Sequence, residues 1–293
     1  MRTLERTGDL AVCACGRRYP IVDGIPLLLA NGVPDLTGVV ERELPPDVLA
    51  LLLEHGRDGS PYPHLADQLG MYLDAQWGDR ADPPPDGVAF GAAELVDRIA
   101  ARAGVRVALA VELGCSVGRV VAELAAGADH VVGLDIQLAA LRRARRLLAG
   151  APLGYARRIV GCHYTPAHVT PAGPVNNVTL VCGDALDPPL VHGFYDRVVA
   201  LNLLDSVPDP LQLLAVIDGL CAPGGEVILA SPYAWQASTT PIGGADPAAA
   251  VAAHLTECGY VIEDEALVPW HLRRNAHCAL TYRTHYIRAR KGT

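Results

Sequence analysis

From about residue 96 onward, short runs of β-branched and aliphatic residues alternate with stretches of helical periodicity, and no other feature of the chain restricts its fold as much. The runs are VRVALAVEL, HVVGLD, VTLVCGD, YDRVVALN and GEVILAS. Each is apolar almost throughout, as a parallel strand covered on both faces must be. Between the first two lies RVVAELAAGA. Between the second and third lies LAALRRARRLLAG, where Leu138, Leu141 and Leu148 share one face and the arginines the other. Strand–helix alternation of this kind predicts a doubly wound α/β fold around a mostly parallel sheet. The C-terminal segments GYVIEDEALVPW and CALTYRTHYIRARK read as two strands, predicting an antiparallel pair at the sheet edge.

The part ahead of this region is less regular. Residues 1–35 form a small segment ending in IPLLLA, and residues 36–95 are polar and proline-rich, with PPD at 45–47 and PPPD at 83–86. Proline removes backbone donors and fixes φ, so 36–95 reads as linker and helical lid, with helices in DVLALLLEHG and MYLDAQWGD. The third unit is then 96–293.

Charge and composition exclude several function classes. A net charge of −8 over 293 residues argues against a nucleic-acid binder working by broad phosphate neutralisation. The basic clusters at Arg142–Arg146 and Arg273–Arg274 read as a solvated helix face and a strand end. No run approaches the roughly 18 apolar residues that span a bilayer. MRTLERTGDL lacks the apolar core of a signal peptide, so the eight cysteines are expected to be reduced and the protein cytoplasmic. The oligomeric state is left open, with a homodimer as the form to test.

The motif that carries chemistry is Glu112-Leu-Gly114-Cys-Ser116-Val-Gly118, between a buried strand and a helix. Gly114 lets the chain turn tightly and a ligand approach the backbone, and Gly118 allows close packing at the helix start. The helix N-terminus offers unpaired N–H groups and a positive dipole end, which suit a carboxylate. Asp135 ends the next strand, where a carboxylate can accept from both hydroxyls of a ribose, since ligands of open α/β sheets sit beyond the carboxyl ends of the strands. Asp184 ends the third strand and can accept from an exocyclic adenine amine, while the Ala185 backbone N–H can donate to a ring nitrogen. A dinucleotide-binding reading expects Gly-x-Gly-x-x-Gly, a spacing that Gly114-Cys-Ser-Val-Gly118 does not have.

The ordered set resembles the class I S-adenosylmethionine (SAM)-dependent methyltransferases over roughly residues 96–293. It comprises the acid-x-Gly after strand one, the acid ending strand two, Gly-Asp-Ala after strand three, Asn202 after strand four, and Pro223-Gly224-Gly225 before strand five. The resemblance implies a Rossmann-like, seven-stranded sheet with an antiparallel last strand, and SAM as cofactor. It places Glu112, Gly114, Ser116 and Gly118 at the methionine end, Asp135 with Ile136 and Gln137 at the ribose, and Asp184 with Ala185 at the adenine. The family's usual middle glycine is Ser116 here. Tyr72, in a segment that covers the cofactor in related enzymes, is a further contact; the other reading is an ordinary core-packed helix.

Methyl transfer from a sulfonium is an in-line displacement, so the acceptor must be held close and unprotonated. Asn202 can face the methyl group. Asp205 can orient or deprotonate an acceptor, or else cap the following helix, a task for which Asp209 is better placed. Tyr233, in Ser231-Pro-Tyr233-Ala-Trp235, can wall an aromatic acceptor. This stretch, with NLLDSVPDP upstream, resembles the C-terminal methyltransferase domain of ovothiol synthases over about 50 residues, with the Trp235-to-Gly244 part shorter here. That resemblance implies methylation of a nitrogen of a small heterocycle or amine; oxygen and carbon acceptors, or a non-catalytic SAM-binding subunit, are the alternatives. Residues 151–177 are long for a connection and predict a lid or binding loop, with His163 and Tyr164 facing the acceptor.

Finally, Cys13-Ala-Cys15-Gly-Arg-Arg-Tyr19-Pro-Ile-Val-Asp23-Gly-Ile-Pro26 resembles the second half of a small zinc-ribbon family found alone as methyltransferase activators or fused ahead of methyltransferases. The first Cys-x-x-Cys knuckle is missing, and a tetrahedral structural zinc takes four ligands. A metal-free hairpin packed on the catalytic domain is expected, with zinc shared between two copies as the alternative.

Overall fold

The computed structural model describes residues 4–30, 45–55, 62–85, 87 and 93–293. Its central sheet explains why the strands read as unbroken apolar runs. Alternate residues of each strand enter two different cores. Val199 of β10 (Tyr195–Leu201) and Ile228 of β11 (Cys221–Ser231) face one core, and Val198 and Val227 face the other. Helices α4 (Arg119–Ala126) and α5 (Leu138–Leu148) cover the first face, and α6 (Pro210–Leu220) and α7 (Pro247–Glu257) the second. Both faces being dry, the strands are apolar almost throughout, and the buried Arg197 of β10 is neutralised by Glu226 of β11 at 2.6 Å.

The remaining strands are β5 (Val107–Leu113), β6 (Ala128–Asp135), β9 (Val178–Cys182), β12 (Tyr260–Asn275) and β13 (Cys278–Lys291). The sheet order is β12-β13-β11-β10-β5-β6-β9. β5, β6, β9, β10 and β11 run parallel, and β13 is antiparallel to both β11 and β12. The expected doubly wound sheet with an antiparallel last strand is therefore present. Asp209 caps α6 by accepting from the Gln212 N–H at 3.0 Å, and Asp246 caps α7 from the Ala249 N–H at 3.0 Å, each followed by a proline at the first helical turn.

The N-terminal residues form a four-stranded antiparallel sheet, β1 (Leu4–Thr7), β2 (Leu10–Cys13), β3 (Arg18–Val22) and β4 (Ile25–Pro26). It docks on the flank of the central sheet, where the Leu28 N–H donates to the Cys182 carbonyl at 2.7 Å. Arg142 forms an ion pair with Asp23 at 2.5 Å, and the Arg145 guanidinium lies against Gly24. The arginine face of α5, expected to be simply solvated, thus carries part of this docking. Arg273, expected at a strand end, is there but only 3% exposed. The Cys13 and Cys15 sulfurs lie 3.0 Å apart, and all eight cysteines are free thiols. Among the described residues no group of three or more His, Cys, Asp or Glu gathers, and no helix is long and apolar enough to cross a membrane.

Residues 151–177 are not an open loop. They fold into an antiparallel hairpin of β7 (Leu153–Val160) and β8 (His163–Val169), which buttresses helix α2 (Tyr62–Trp77). Arg157 donates to Asp74 at 2.7 and 3.0 Å, and the Tyr155 hydroxyl joins the same carboxylate. One heptad back along the helix, Arg158 pairs with Asp67 at 2.6 Å, with Tyr164 alongside. Helix α1 (Pro46–His55) packs against the same hairpin through Leu49 and Leu53, and α3 (Ala93–Ala100) packs on the first core through Leu95, Val96 and Ile99.

Candidate cofactor and acceptor site

Just past the carboxyl ends of β5 and β10, three residues take left-handed backbone conformations. Gly114 sits at φ +74°, where an added Cβ would meet the Leu203 side chain at 2.9 Å. Ser116 and Asn202, neither of them glycine, also hold positive φ, at +47° and +53°. Left-handed conformations at non-glycine residues cost about 1–2 kcal/mol each, and they collect at functional sites. Tyr233, at the end of β11, is a third such residue, at φ +53°.

These turns line one cavity, with about 960 Å³ of empty space counting its mouth. Its floor is Glu112, Gly114, Ser116, Asp135, Ile136, Gln137 and Asn202. Its roof is helix α2. Leu65, Leu69, Leu73 and Trp77 turn one stripe of that helix into the core, while Gln68, Tyr72 and Gln76, spaced at i, i+4 and i+8, face the cavity. The core-packed reading of the Tyr72 segment thus holds for one face of this helix, while Tyr72 itself faces the cavity. The Trp77 indole donates to the Val117 carbonyl at 3.0 Å, tying the roof to the glycine-rich turn.

The floor is acidic and incompletely bonded. Asp135 accepts from the Ser116 N–H and the Gln137 N–H, both at 2.8 Å. Burial nonetheless raises its carboxyl above the ordinary range, against the pull of those donors. Glu112 is 4% exposed, and burial, reinforced by the charge of Asp135, pushes it well above the usual carboxylate range. Glu112 Oε2, Ser116 Oγ and Asn202 Oδ1 are buried without a hydrogen-bond partner. Native interiors rarely leave such atoms orphaned, so three on one cavity floor mark a ligand's place.

Other expected site residues lie elsewhere. Gly118, at φ +79°, does not line the cavity: a Cβ there would meet Ala144 at 2.7 Å, so this glycine lets α4 and α5 approach. Asp184 follows β9, accepts locally from the Leu186 N–H at 2.8 Å and, with the buried Ala185, lies outside the lining. Asp205 is 5% exposed and accepts from the Ala234 N–H at 3.0 Å, pinning the loop after β11 to the loop after β10. Burial raises its carboxyl, and the helix is indeed capped by Asp209 instead. The Tyr233 hydroxyl bonds His285 Nδ1 at 2.7 Å, and His285 Nε2 bonds Glu265 at 2.9 Å, which turns Tyr233 away from an acceptor-wall role. His163 is exposed at the hairpin turn, and Tyr164 is held by Arg158 and Asp67; neither lines the cavity. Conversely, Gln68, Gln76, Ser206, Gln236 and Trp270 line it unforeseen. The two glutamines could have been found from their spacing to Tyr72 on one helix face; the other three carry no local signal.

Residues 111–229 match the family described as Methyltransferase domain. Among solved structures, a complex of the Haloferax volcanii Trm112 methyltransferase activator with a methyltransferase matches at TM-score 0.51 and 15% identity, over 79% of this chain and 96% of that one. The N-methyltransferase NodS from Bradyrhizobium japonicum WM9, in complex with S-adenosyl-L-homocysteine, matches at TM-score 0.49 and 16% identity, over 78% and 98%. Magnesium protoporphyrin IX methyltransferase from Synechocystis PCC 6803, with bound SAM, matches at TM-score 0.46 and 16% identity, over 83% and 90%.

Proposed function

We propose, on the premise that a SAM-dependent methyltransferase domain forms the core of this chain, that it methylates a nitrogen of a small-molecule heterocycle or amine. The observation that carries the cofactor side is the set of unpartnered buried atoms at the strand ends: Glu112 Oε2, Ser116 Oγ and Asn202 Oδ1 beside the Asp135 carboxylate. Two acceptors, Glu112 and Asn202, stand at the ends of the adjacent strands β5 and β10 and would hold an ammonium group. Asp135 keeps lone pairs beyond those used by Ser116 and Gln137, and would accept from the ribose hydroxyls. Asp184 and the Ala185 N–H, outside the cavity lining but two and three residues past Cys182, the register partner of Asp135, would take the adenine edge where the ligand runs on beyond Asp135. SAM, when bound, supplies an electrophilic methyl group.

On the acceptor side the chain's task is to place a lone pair in line with that methyl and to keep water out. Tyr72 and Gln76 on the roof, with Ser206 and Gln236 on the wall, offer neutral hydrogen-bonding groups for that purpose. Such groups orient an uncharged nitrogen without protonating it.

The test is calorimetric. Wild type should bind S-adenosylhomocysteine, and Asp135→Ala and Asp184→Ala should each weaken binding by about 1–3 kcal/mol, the penalty for stranding buried polar partners. Unchanged affinity in both variants would refute the cofactor assignment. Mass spectrometry of an amine and heterocycle panel tests the acceptor; methylation confined to oxygen or carbon would refute nitrogen.

A further inference from the structure

The last hairpin extends well past the sheet it belongs to. β13 pairs with β11 only from Arg290 to His285, opposite Glu226 to Ser231. β12 and β13 continue pairing with each other to Asn275 and Cys278. Residues 268–284 thus form a two-stranded arm beyond the carboxyl edge, where the cavity lies. The arm's far end meets the β7–β8 hairpin, with the Ala276 N–H donating to the Ile159 carbonyl at 2.9 Å. With α2 above, arm and hairpin close an arch over the floor.

The arm's two faces differ. Val268 and Leu272 are buried, while Leu267 and Pro269 are exposed. Side chains alternate along a strand, so Trp270 shares the inward face with Val268 and Leu272. Trp270 stacks on its cross-strand partner Tyr282, with centroids 5.5 Å apart and planes at 27°. Trp270 lines the cavity, and its Nε1 is buried with no hydrogen-bond partner. A buried indole N–H ordinarily finds one. Across the space, the Tyr72 hydroxyl accepts from Gln68 at 3.1 Å, which leaves its own proton to donate.

We propose that the Trp270–Tyr282 arm is the acceptor-binding wall, and that the acceptor is a planar aromatic or heteroaromatic ring carrying an oxygen or sp² nitrogen that takes the Trp270 indole N–H. The inference rests on the methyltransferase reading of the cavity and narrows its acceptor. A flat ring in this place offers a π-face to the aromatic wall and a lone pair to the donors of two residues on the cavity lining, Trp270 and Tyr72. A saturated amine offers the lone pair without the face, and is expected to bind less well.

Benzimidazole is the probe, with cyclohexylamine as its saturated counterpart, each titrated into protein saturated with S-adenosylhomocysteine. The readouts are ligand-observed saturation transfer and the indole ¹H–¹⁵N signal of Trp270, assigned from Trp270→Phe. The expected result is a benzimidazole-dependent shift of that signal and weaker binding of cyclohexylamine. Trp270→Ala should lose about tenfold in benzimidazole affinity and Trp270→Phe about threefold, with S-adenosylhomocysteine affinity unchanged within about twofold. The unchanged cofactor affinity doubles as the check that the variants are folded. If the Trp270 variants weaken S-adenosylhomocysteine as much as benzimidazole, the indole serves the cofactor and the inference is overturned. Equal binding of the two probes, or no shift at Trp270, overturns it as well. Failure of wild type to bind S-adenosylhomocysteine at all would take down the underlying reading, and this inference with it.

Discussion

Gly118→Ala isolates how closely the first turn of α4 is fitted against α5. The added methyl would stand 2.7 Å from Ala144 Cβ and 3.3 Å from its Cα, and Ala144 is fully buried on a helix. Carbon atoms prefer about 3.5–4.0 Å, so one helix must move. Overpacking of this kind costs about 1–3 kcal/mol, and holding alanine at φ +79° adds about 1–2 kcal/mol. The unfolded chain loses freedom when glycine is replaced, which returns about 0.4–1 kcal/mol. The net loss is then about 1–5 kcal/mol, or a fall in Tm of about 2–8 °C for a chain of this size. Gly161→Ala is the control: its φ is +55°, but nothing lies within 4 Å of its would-be Cβ, so strain acts alone. It should cost about 1 kcal/mol or less once the unfolded-state gain is subtracted. Scanning calorimetry of both variants decides the matter. Equal Tm losses would show that the contact with Ala144 carries no penalty, and the packing argument would fail. Because the turn ahead of α4 carries Ser116, the Gly118 variant should also bind S-adenosylhomocysteine more weakly, and the Gly161 variant should not.

Arg157→Leu strands the 7%-exposed Asp74 and should destabilise by about 3–5 kcal/mol in urea titrations, whereas Arg157→Leu/Asp74→Leu should recover much of that loss; strictly additive losses would contradict the pairing. The raised Glu112 carboxyl favours the protonated, folded form, so its contribution to stability is present in full below about pH 4.5 and fades as pH climbs through the raised value. A bound ammonium reverses that preference, so S-adenosylhomocysteine should bind more tightly as pH rises over the same window, with release of protons measurable by calorimetry in buffers of different ionisation enthalpy; Glu112→Gln should flatten the dependence, and an equally steep profile in that variant would rule out Glu112 as its source. Tyr233→Phe leaves His285 Nδ1 buried without its donor and should cost about 1–3 kcal/mol in thermal stability while leaving S-adenosylhomocysteine affinity intact; a large loss of cofactor affinity would show that the residue faces the cavity after all.

The strands and the floor were legible because their causes are local. An acid ending a parallel strand and a glycine turn after it declare themselves by spacing alone, and Glu112, Gly114, Ser116 and Asp135 meet on the cavity floor. The hairpin at 153–169 was not legible, for a physical reason. LGYARRIV carries two arginines that make a packed strand look like a loop. Their charges are neutralised by Asp67 and Asp74, on a helix more than eighty residues earlier, which no local window sees. Asp205, Tyr233 and His163 mislead in the opposite sense. Their residue types suit catalysis, but His163 stands exposed at a hairpin turn, and the bonds of the other two are decided by neighbours far off in sequence: Ala234 for Asp205, and His285, itself held by Glu265, for Tyr233. Trp270 went unnoticed because period-two patterning marks a face as inward without saying that the inside there is a cavity.

The arm at 268–284 meets the rest of the described chain at Val268, in the first core, and at Ala276, on the β7–β8 hairpin. Its two strands bond chiefly to each other, and the parallel strands keep their register whatever side chains it presents. If the arm is the acceptor wall proposed above, exchange of Trp270, which is only half-buried, would change which guest is admitted while the floor residues stay as they are. On that proposal, selectivity and chemistry would sit on separate pieces of backbone, free to evolve at different speeds.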